Sequence, residues 1–462
     1  MRILFVQPDW RQNGFGFRLV AMPEPLGLEM LAASVPDHDV RITDLRCGDE
    51  LAAEIADFQP DLVGVTALTP EVYAAAAVLE QTKALAPEAF TLVGGHHASL
   101  LPEDFHLPQV DAIIRGEGEP VLPRLVAALE AGRDLAEVPN LVYQDRAGRF
   151  VATGRRTEAL DVDALPLPRR DLTARHREKY FFLFDQPDTS MATGRGCPWR
   201  CNFCSVWEFY DGRTRMMSPA RVIRELETVE TDHVTFVDDN FMLNHRRENE
   251  IADRIRAAGI QHRYSMECRT DSIVRHPELV EKWVDIGLYA VLLGLEGADD
   301  TLESVGKRNT ARVNDQAIDI LQDLGVVIWG AFIVDPRWEA DDFKRLRDYV
   351  AHRGITHTQF TVLTPLPGTQ LHRDRQQELI TRDYTCFDAL HAVTDTRLDR
   401  ETFYRHFAEL YRQTSLQPYF DAVRDGRLTI DDIRRGKAML DAMSRPENYA
   451  VNDPVLREAA LA

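Results

Sequence analysis

The chain has 462 residues, of which 44% are hydrophobic and 28% charged, and its formal net charge is −20. That length exceeds one ordinary core, so two or three globular domains are expected. The negative charge argues against nucleic acid or an anionic membrane surface as the main partner.

No apolar run is long enough to span a membrane. The opening Met1-Arg-Ile-Leu-Phe-Val-Gln7 reads as a strand, not a signal peptide. Six cysteines in this length give no disulfide framework, so a reducing, cytoplasmic location is expected. Cys47, Cys268 and Cys386 stand apart and read as ordinary buried thiols.

Residues 1–135 alternate strand and helix. Arg2-Ile-Leu-Phe-Val6, Val40 to Asp44, Asp61 to Thr66, Phe90 to Gly94 and Ala112 to Arg115 read as strands. Helices are expected over 26–35, 50–58 and 74–86. Continuous apolar strands separated by helices imply a doubly wound parallel sheet covered on both faces. Such sheets bind ligands at the carboxyl ends of their strands. Those ends are Gln7-Pro-Asp9, Thr66-Ala-Leu68-Thr69, Gly94-Gly-His96-His97-Ala-Ser99 and Arg115-Gly-Glu117-Gly-Glu119. Gly94, Gly95, Gly116 and Gly118 permit close backbone approach to a ligand. Either glycine turn alone also reads as a tight strand-to-helix connection.

Residues 136–185 read as a linker, punctuated by Asp161-Val-Asp-Ala-Leu-Pro-Leu-Pro168. Strand and helix alternate again over 186–374. That region opens on Ala192-Thr-Gly-Arg-Gly-Cys-Pro-Trp-Arg-Cys-Asn-Phe-Cys-Ser205, which sets Cys197, Cys201 and Cys204 in the spacing C-x-x-x-C-x-x-C. Three thiolates this close can hold three irons of a 4Fe–4S cluster and leave the fourth open. Phe203 puts an aromatic beside them. Zinc is the chemical rival, but it normally takes a fourth Cys or His at regular spacing.

Further strands are expected from Ser190, His233, Tyr264, Leu288, Val326 and Thr358. Six β/α units suggest a partial barrel with its site at the strand C-termini. Asp238, Asp239, Arg269 and Glu296 stand at those ends. Trp207, Tyr210, Trp329 and Trp338 are expected at the barrel mouth, where they would line an apolar substrate site. Residues 375–462 read as a helical tail, with Tyr404, Phe407, Leu410 and Tyr411 at helical spacing to pack on the barrel.

The cysteine spacing resembles the defining motif of the radical S-adenosylmethionine (SAM) superfamily. The paired glycine loops resemble the cobalamin-binding domain that precedes many radical SAM barrels, as does Pro23-Glu-Pro-Leu-Gly-Leu28. Arg195-Gly-Cys-Pro-Trp199, Phe203-Cys-Ser205, Asp335-Pro336, Thr364-Pro365, Pro367-Gly-Thr369, Thr381-Arg-Asp-Tyr384 and His391-Ala-Val393 resemble the hopanoid C-3 methylase group.

The resemblance implies an N-terminal cobalamin domain, a partial (β/α)6 radical SAM barrel and a helical tail. It implies that Thr66, Leu68, Thr69, Gly94, Gly95, His96, Ser99, Gly116, Glu117 and Gly118 bind cobalamin, with His96 and His97 at its nucleotide tail. It implies that Asp238, Asp239, Arg269 and Glu296 hold SAM. The cobalt-ligating motif Asp-x-His-x-x-Gly is matched by Asp9-Trp-Arg-Gln-Asn-Gly14, with Arg11 where the histidine would stand. A guanidinium cannot donate a lone pair, so no histidine is expected below cobalt.

The implied cofactors are a 4Fe–4S cluster, SAM and cobalamin. The implied activity is methylation of an unactivated carbon in a small, largely apolar molecule, a hopanoid-type lipid first among them. The expected partners are that substrate and an electron donor such as a flavodoxin or ferredoxin, with at most loose membrane association. Alternatives are a methylase of another natural-product precursor, a cobalamin-dependent cyclase or rearrangement enzyme, and a corrinoid or redox sensor.

Overall fold

The computed structural model describes residues 1–9, 21–155, 160–182, 185–298, 306–307, 310–355, 357–412, 423–424 and 429–450. Arg11 therefore lies outside the described residues, as does the tail beyond residue 450.

The first sheet has seven strands: β1 (Arg2–Gln7), β2 (Asp39–Asp44), β3 (Leu62–Thr66), β4 (Phe90–Gly94), β5 (Ala112–Ile114), β6 (Leu141–Gln144) and β7 (Phe150–Ala152). Their order is β2-β1-β3-β4-β5-β6-β7. The first five are parallel. Alternate residues of β1 enter two separate cores: Leu4 and Val6 pack in one, Ile3 and Phe5 in the other. A strand buried on both faces must be apolar at every position, which is why β1 reads as a continuous run. The order reverses between β1 and β3, where the carboxyl ends splay into a crevice.

The stretch 136–185, expected as a linker, adds β6 and β7 to this sheet. Both are antiparallel, joined by a turn in which Gly148 takes φ 74°. The rest of the stretch makes short turns over Arg170–Leu172 and Ala174–Lys179.

The second sheet carries six strands in sequence order: β8 (Asp188–Met191), β9 (His233–Phe236), β10 (Arg263–Cys268), β11 (Leu288–Glu296), β12 (Val327–Val334) and β13 (His357–Val362). All neighbours are parallel, as in an open six-stranded barrel. Val234, Phe236, Tyr264, Met266, Val291 and Leu293 face outward into one core with Ile251, Ile255, Trp283 and Leu321 of the covering helices. The period of two then sends the alternate residues into the lumen. The helix Arg400–Arg412 buries Phe403, Phe407 and Tyr411. Its Tyr411 hydroxyl donates to the Phe360 carbonyl at 2.7 Å, which fastens the tail helix to β13.

Trp283 is fully buried, and its ring stands edge-on to Phe236, Phe241 and Tyr264 at 5.1 to 5.7 Å. We expect Trp283→Ala to destabilise the barrel by about 3–5 kcal/mol, seen as a lowered denaturant midpoint. An unchanged midpoint contradicts this packing.

Candidate functional site

The carboxyl ends of both sheets face a common cavity of ≈ 410 Å³. Thr66, Gly94, Gly95, Gly116, Glu117 and Gly118 line it from the first domain, and Gly194, Arg195, Tyr210, Val237 and Asp239 from the second. Gly95 has φ 94°, and a Cβ there would stand 2.6 Å from Thr66 Oγ1, so only glycine fits. Gly116 has φ 80°, and a Cβ would meet nothing within 4 Å. At Gly116 the second loop is thus bare backbone facing open space, whereas a Cβ at Gly118 would stand 2.6 Å from Leu31.

Ser99 joins the two glycine loops. Its hydroxyl donates to the Gly95 carbonyl at 2.6 Å and accepts from the Gly116 amide at 2.8 Å. Ser99, Leu68, Thr69 and His96 stand outside the cavity wall. Leu68 is 54% exposed. Thr69 Oγ1 meets His97 Nδ1 at 3.1 Å, and His97 Nε2 meets Asp104 at 2.9 Å. His96 sits against the cysteine segment: its Nε2 meets Ser205 Oγ at 2.7 Å and its ring stacks on Phe209 at 4.8 Å. Burial lowers its pKa to about 4, so the ring is neutral.

The cysteine loop is bracketed by a short antiparallel ladder of Gly194–Arg195 with Arg215–Met216. Gly196, φ 83°, donates its amide to Asp239 Oδ2 at 2.9 Å. The Cys204 amide donates to the Cys201 carbonyl at 3.2 Å, and Trp207 Nε1 donates to the same carbonyl at 3.0 Å. Phe203 packs on Ile333, Leu363 and Leu371. Burial raises all three thiol pKa values, that of Cys204 to about 12. A metal's positive charge would hold them as thiolates. Among the described residues, no three His, Cys, Asp or Glu side chains are gathered closely enough to hold one ion. Thiolates that each take a separate iron of a cluster need not be so gathered.

The adjacent aspartates divide their work. Asp238 is 6% exposed and accepts from the Thr193 amide at 2.9 Å and hydroxyl at 2.8 Å, so it holds β9 to the strand before the loop. Asp239 lines the cavity. Arg269 lays its guanidinium over Trp199 of the cysteine loop at 4.2 Å, and Nε donates to Asp271 at 2.9 Å. Its Nη2 is buried without a hydrogen-bond partner among the described residues, a donor available to a bound anion. Glu296 ends β11 at φ 61°, after a register shift, and pairs with the buried Lys307.

Sequence reasoning missed Lys307 and a fork across the domain boundary. Arg195 donates Nη1 to Glu117 at 2.7 Å and Nη2 to Glu119 at 2.5 Å, while Arg215 pairs with the other Glu117 oxygen. Burial disfavours the Arg195 charge, but the two glutamates outweigh it and raise its pKa. The Arg-Gly-Glu-Gly-Glu spacing held the signal, since it offers two carboxylates on one short loop.

The four aromatics expected at the mouth do not gather there. Tyr210 lines the cavity, and Trp207 braces the cysteine loop. Trp329 is the third residue of β12, buried low in the barrel against Phe182 at 5.6 Å. Trp338 packs edge-on to Phe343 of an outer helix at 5.3 Å.

We expect the triple variant Cys197→Ala, Cys201→Ala, Cys204→Ala, reconstituted anaerobically with iron and sulfide, to lose the bound iron and its charge-transfer absorption. Full iron content in that variant contradicts the site.

Two family models match the chain. The B12 binding domain matches residues 19–126 and the radical SAM superfamily residues 191–350. The hopanoid C-3 methylase of Methylococcus capsulatus is 34% identical over 393 residues, covering 82% of this chain and 74% of that protein. An anaerobic magnesium-protoporphyrin IX monomethyl ester cyclase of Rubrivivax gelatinosus is 28% identical over 407 residues, covering 83% and 72%. A solved structure of the radical enzyme OxsB, with aqua-cobalamin and SAM bound, shares the fold at TM-score 0.72 and 16% identity, covering 99% of this chain and 74% of that one. On its two domains and its similarity to a curated methylase, the chain belongs to the cobalamin-dependent radical SAM methyltransferase family.

Proposed function

We propose that this enzyme methylates an unactivated carbon of a small, largely apolar molecule, a hopanoid-type lipid being the first candidate. The observation that carries the reading is the single cavity whose walls come from the glycine loops of one domain and the cysteine-loop hairpin of the other. The 34% identity to hopanoid C-3 methylase supports the lipid class.

When bound, cluster, SAM and cobalamin supply a 5′-deoxyadenosyl radical that takes hydrogen from carbon, and a methyl group that replaces it. In this reading Cys197, Cys201 and Cys204 would hold the cluster as thiolates. The free Nη2 of Arg269 and the strand-end carboxylates of Asp239 and Glu296 would hold the polar groups of SAM. Asp238 keeps the loop in shape through Thr193. The bare backbone at Gly94, Gly95, Gly116 and Gly118 admits the corrin face. Thr69 and Asp104 take both ring nitrogens of His97, and Ser205 takes His96 Nε2, so these two side chains would brace the loop beside the nucleotide tail. A reduced flavodoxin or ferredoxin supplies the electrons, in the cytoplasm. No helix among the described residues is long and apolar enough to cross a membrane, so a lipid substrate would be met by loose association. The protein's own contribution is alignment, which is worth several orders of magnitude in rate.

A second reading is a cyclase that transfers no methyl, favoured by the similarity to the magnesium-protoporphyrin cyclase. One experiment separates them: anaerobic incubation with methyl-labelled SAM, cobalamin, a reductant and a hopanoid fraction, followed by mass spectrometry. We expect label on a product carbon, with 5′-deoxyadenosine and S-adenosylhomocysteine both formed. A product without added methyl favours the cyclase, and label on nitrogen or oxygen contradicts both.

A further inference from the structure

The lumen of the barrel changes character from strand to strand. Strand register assigns Asp188, Thr235, Ser265 and Glu267 to its inner face on β8 to β10. Leu292, Ala331 and Ile333 take the inner face on β11 and β12. The inner face is polar on β8 to β10, apolar on β11 and β12, and polar again on β13, where register places Gln359 and Thr361.

Part of the polar wall is satisfied internally, while Asp188 Oδ2 and Ser190 Oγ are buried without a hydrogen-bond partner among the described residues. Thr235 Oγ1 meets Asp188 Oδ1 and Ser265 Oγ, each at 2.9 Å. Glu267 differs. Its neighbours Met266 and Cys268 face outward into the core, so its own side chain points inward. It is exposed to the open lumen and has no hydrogen bond or ion pair among the described residues. The carboxylate therefore faces the lumen with no protein partner among the described residues, open to a donor group of a molecule inside the barrel.

Two ligands could reach it. The groups that face SAM stand at strand ends, at the level of Arg269 and Glu296. Glu267 lies two residues further down β10 than Arg269, ~6–7 Å deeper at strand spacing. That depth belongs to a molecule inside the lumen.

We propose that Glu267 is a substrate-binding and specificity-determining residue that accepts a hydrogen bond from a hydroxyl or ammonium group of the substrate, while Leu292 and Ala331 hold its apolar body. The substrate class is then an amphiphile: a largely apolar molecule with a donor group, not a bare hydrocarbon. This rests on the reading of the barrel as the reaction chamber, but not on methyl transfer.

The test uses reconstituted holoenzyme with SAM, cobalamin and reductant, offered fractionated bacterial extracts, and identifies the compound consumed by mass spectrometry. We expect that compound to carry a hydroxyl or amine. Glu267→Leu should lower kcat/KM for it by about 10- to 100-fold, chiefly through KM, with SAM affinity unchanged. Glu267→Gln keeps an acceptor oxygen: it should restore much of the activity if the donor is a hydroxyl and little if it is an ammonium. A consumed compound with no donor overturns the proposal, as does wild-type turnover by Glu267→Leu. A tenfold loss of SAM affinity in Glu267→Leu would assign the carboxylate to SAM instead. A consumed compound that gains no methyl counts against the methyltransferase reading alone, and Glu267 is still judged on donor and variant.

Discussion

The Arg195 fork is the contact on which the arrangement of the site depends. The guanidinium leaves the strand that leads into the cysteine loop and binds Glu117 and Glu119 of a glycine loop in the other domain. Arg215, across the hairpin from Arg195, takes the remaining Glu117 oxygen. All four side chains are at most 16% exposed. Desolvating these charges costs several kcal/mol each, and mutual attraction repays it only in good geometry. The fork is therefore poor evidence for net stability and good evidence for fixed geometry: losing one partner strands a buried charge. Planar, two-pronged recognition also explains why arginine stands here and not lysine.

From that contact the rest of the site follows in two directions. On one side Ser99 ties the Gly95 and Gly116 turns together, so a displacement of the Glu117 loop carries both. On the other, Gly196 follows Arg195 and hangs from Asp239, and Cys197 comes next. Loops at strand ends can bind and react because the sheets behind them are rigid. Here each loop is also held by the other domain, and the cavity between them is correspondingly defined.

Much of this was legible in the sequence, for identifiable reasons. The cysteine spacing is local chemistry and survives any fold. Apolar runs such as Arg2 to Val6 reveal strands buried on both faces. The pleat was harder to read. Asp238 and Asp239 are equivalent on paper, but the period of two buries one behind Thr193 and turns the other to the cavity. Trp329 was placed too high, since burial and aromatic character say nothing about height in a barrel; register with His357 does. Partnerships over long separations, such as Arg195 with Glu119, leave no periodic trace. The hairpin of β6 and β7 had a signal in Asp145-Arg-Ala-Gly148 but was masked by the proline-rich stretch beyond it.

In the proposed function corrin and cluster would share one chamber, with the Arg195 fork setting the distance between them. Electron paramagnetic resonance of holoenzyme holding cob(II)alamin beside the reduced cluster measures it most directly. Coupled spectra, broadened or split relative to each centre alone, are predicted for the wild type, with weaker coupling in Arg195→Leu at equal cobalamin and iron content. Two uncoupled spectra in the wild type, or coupling unchanged by Arg195→Leu, would contradict the account.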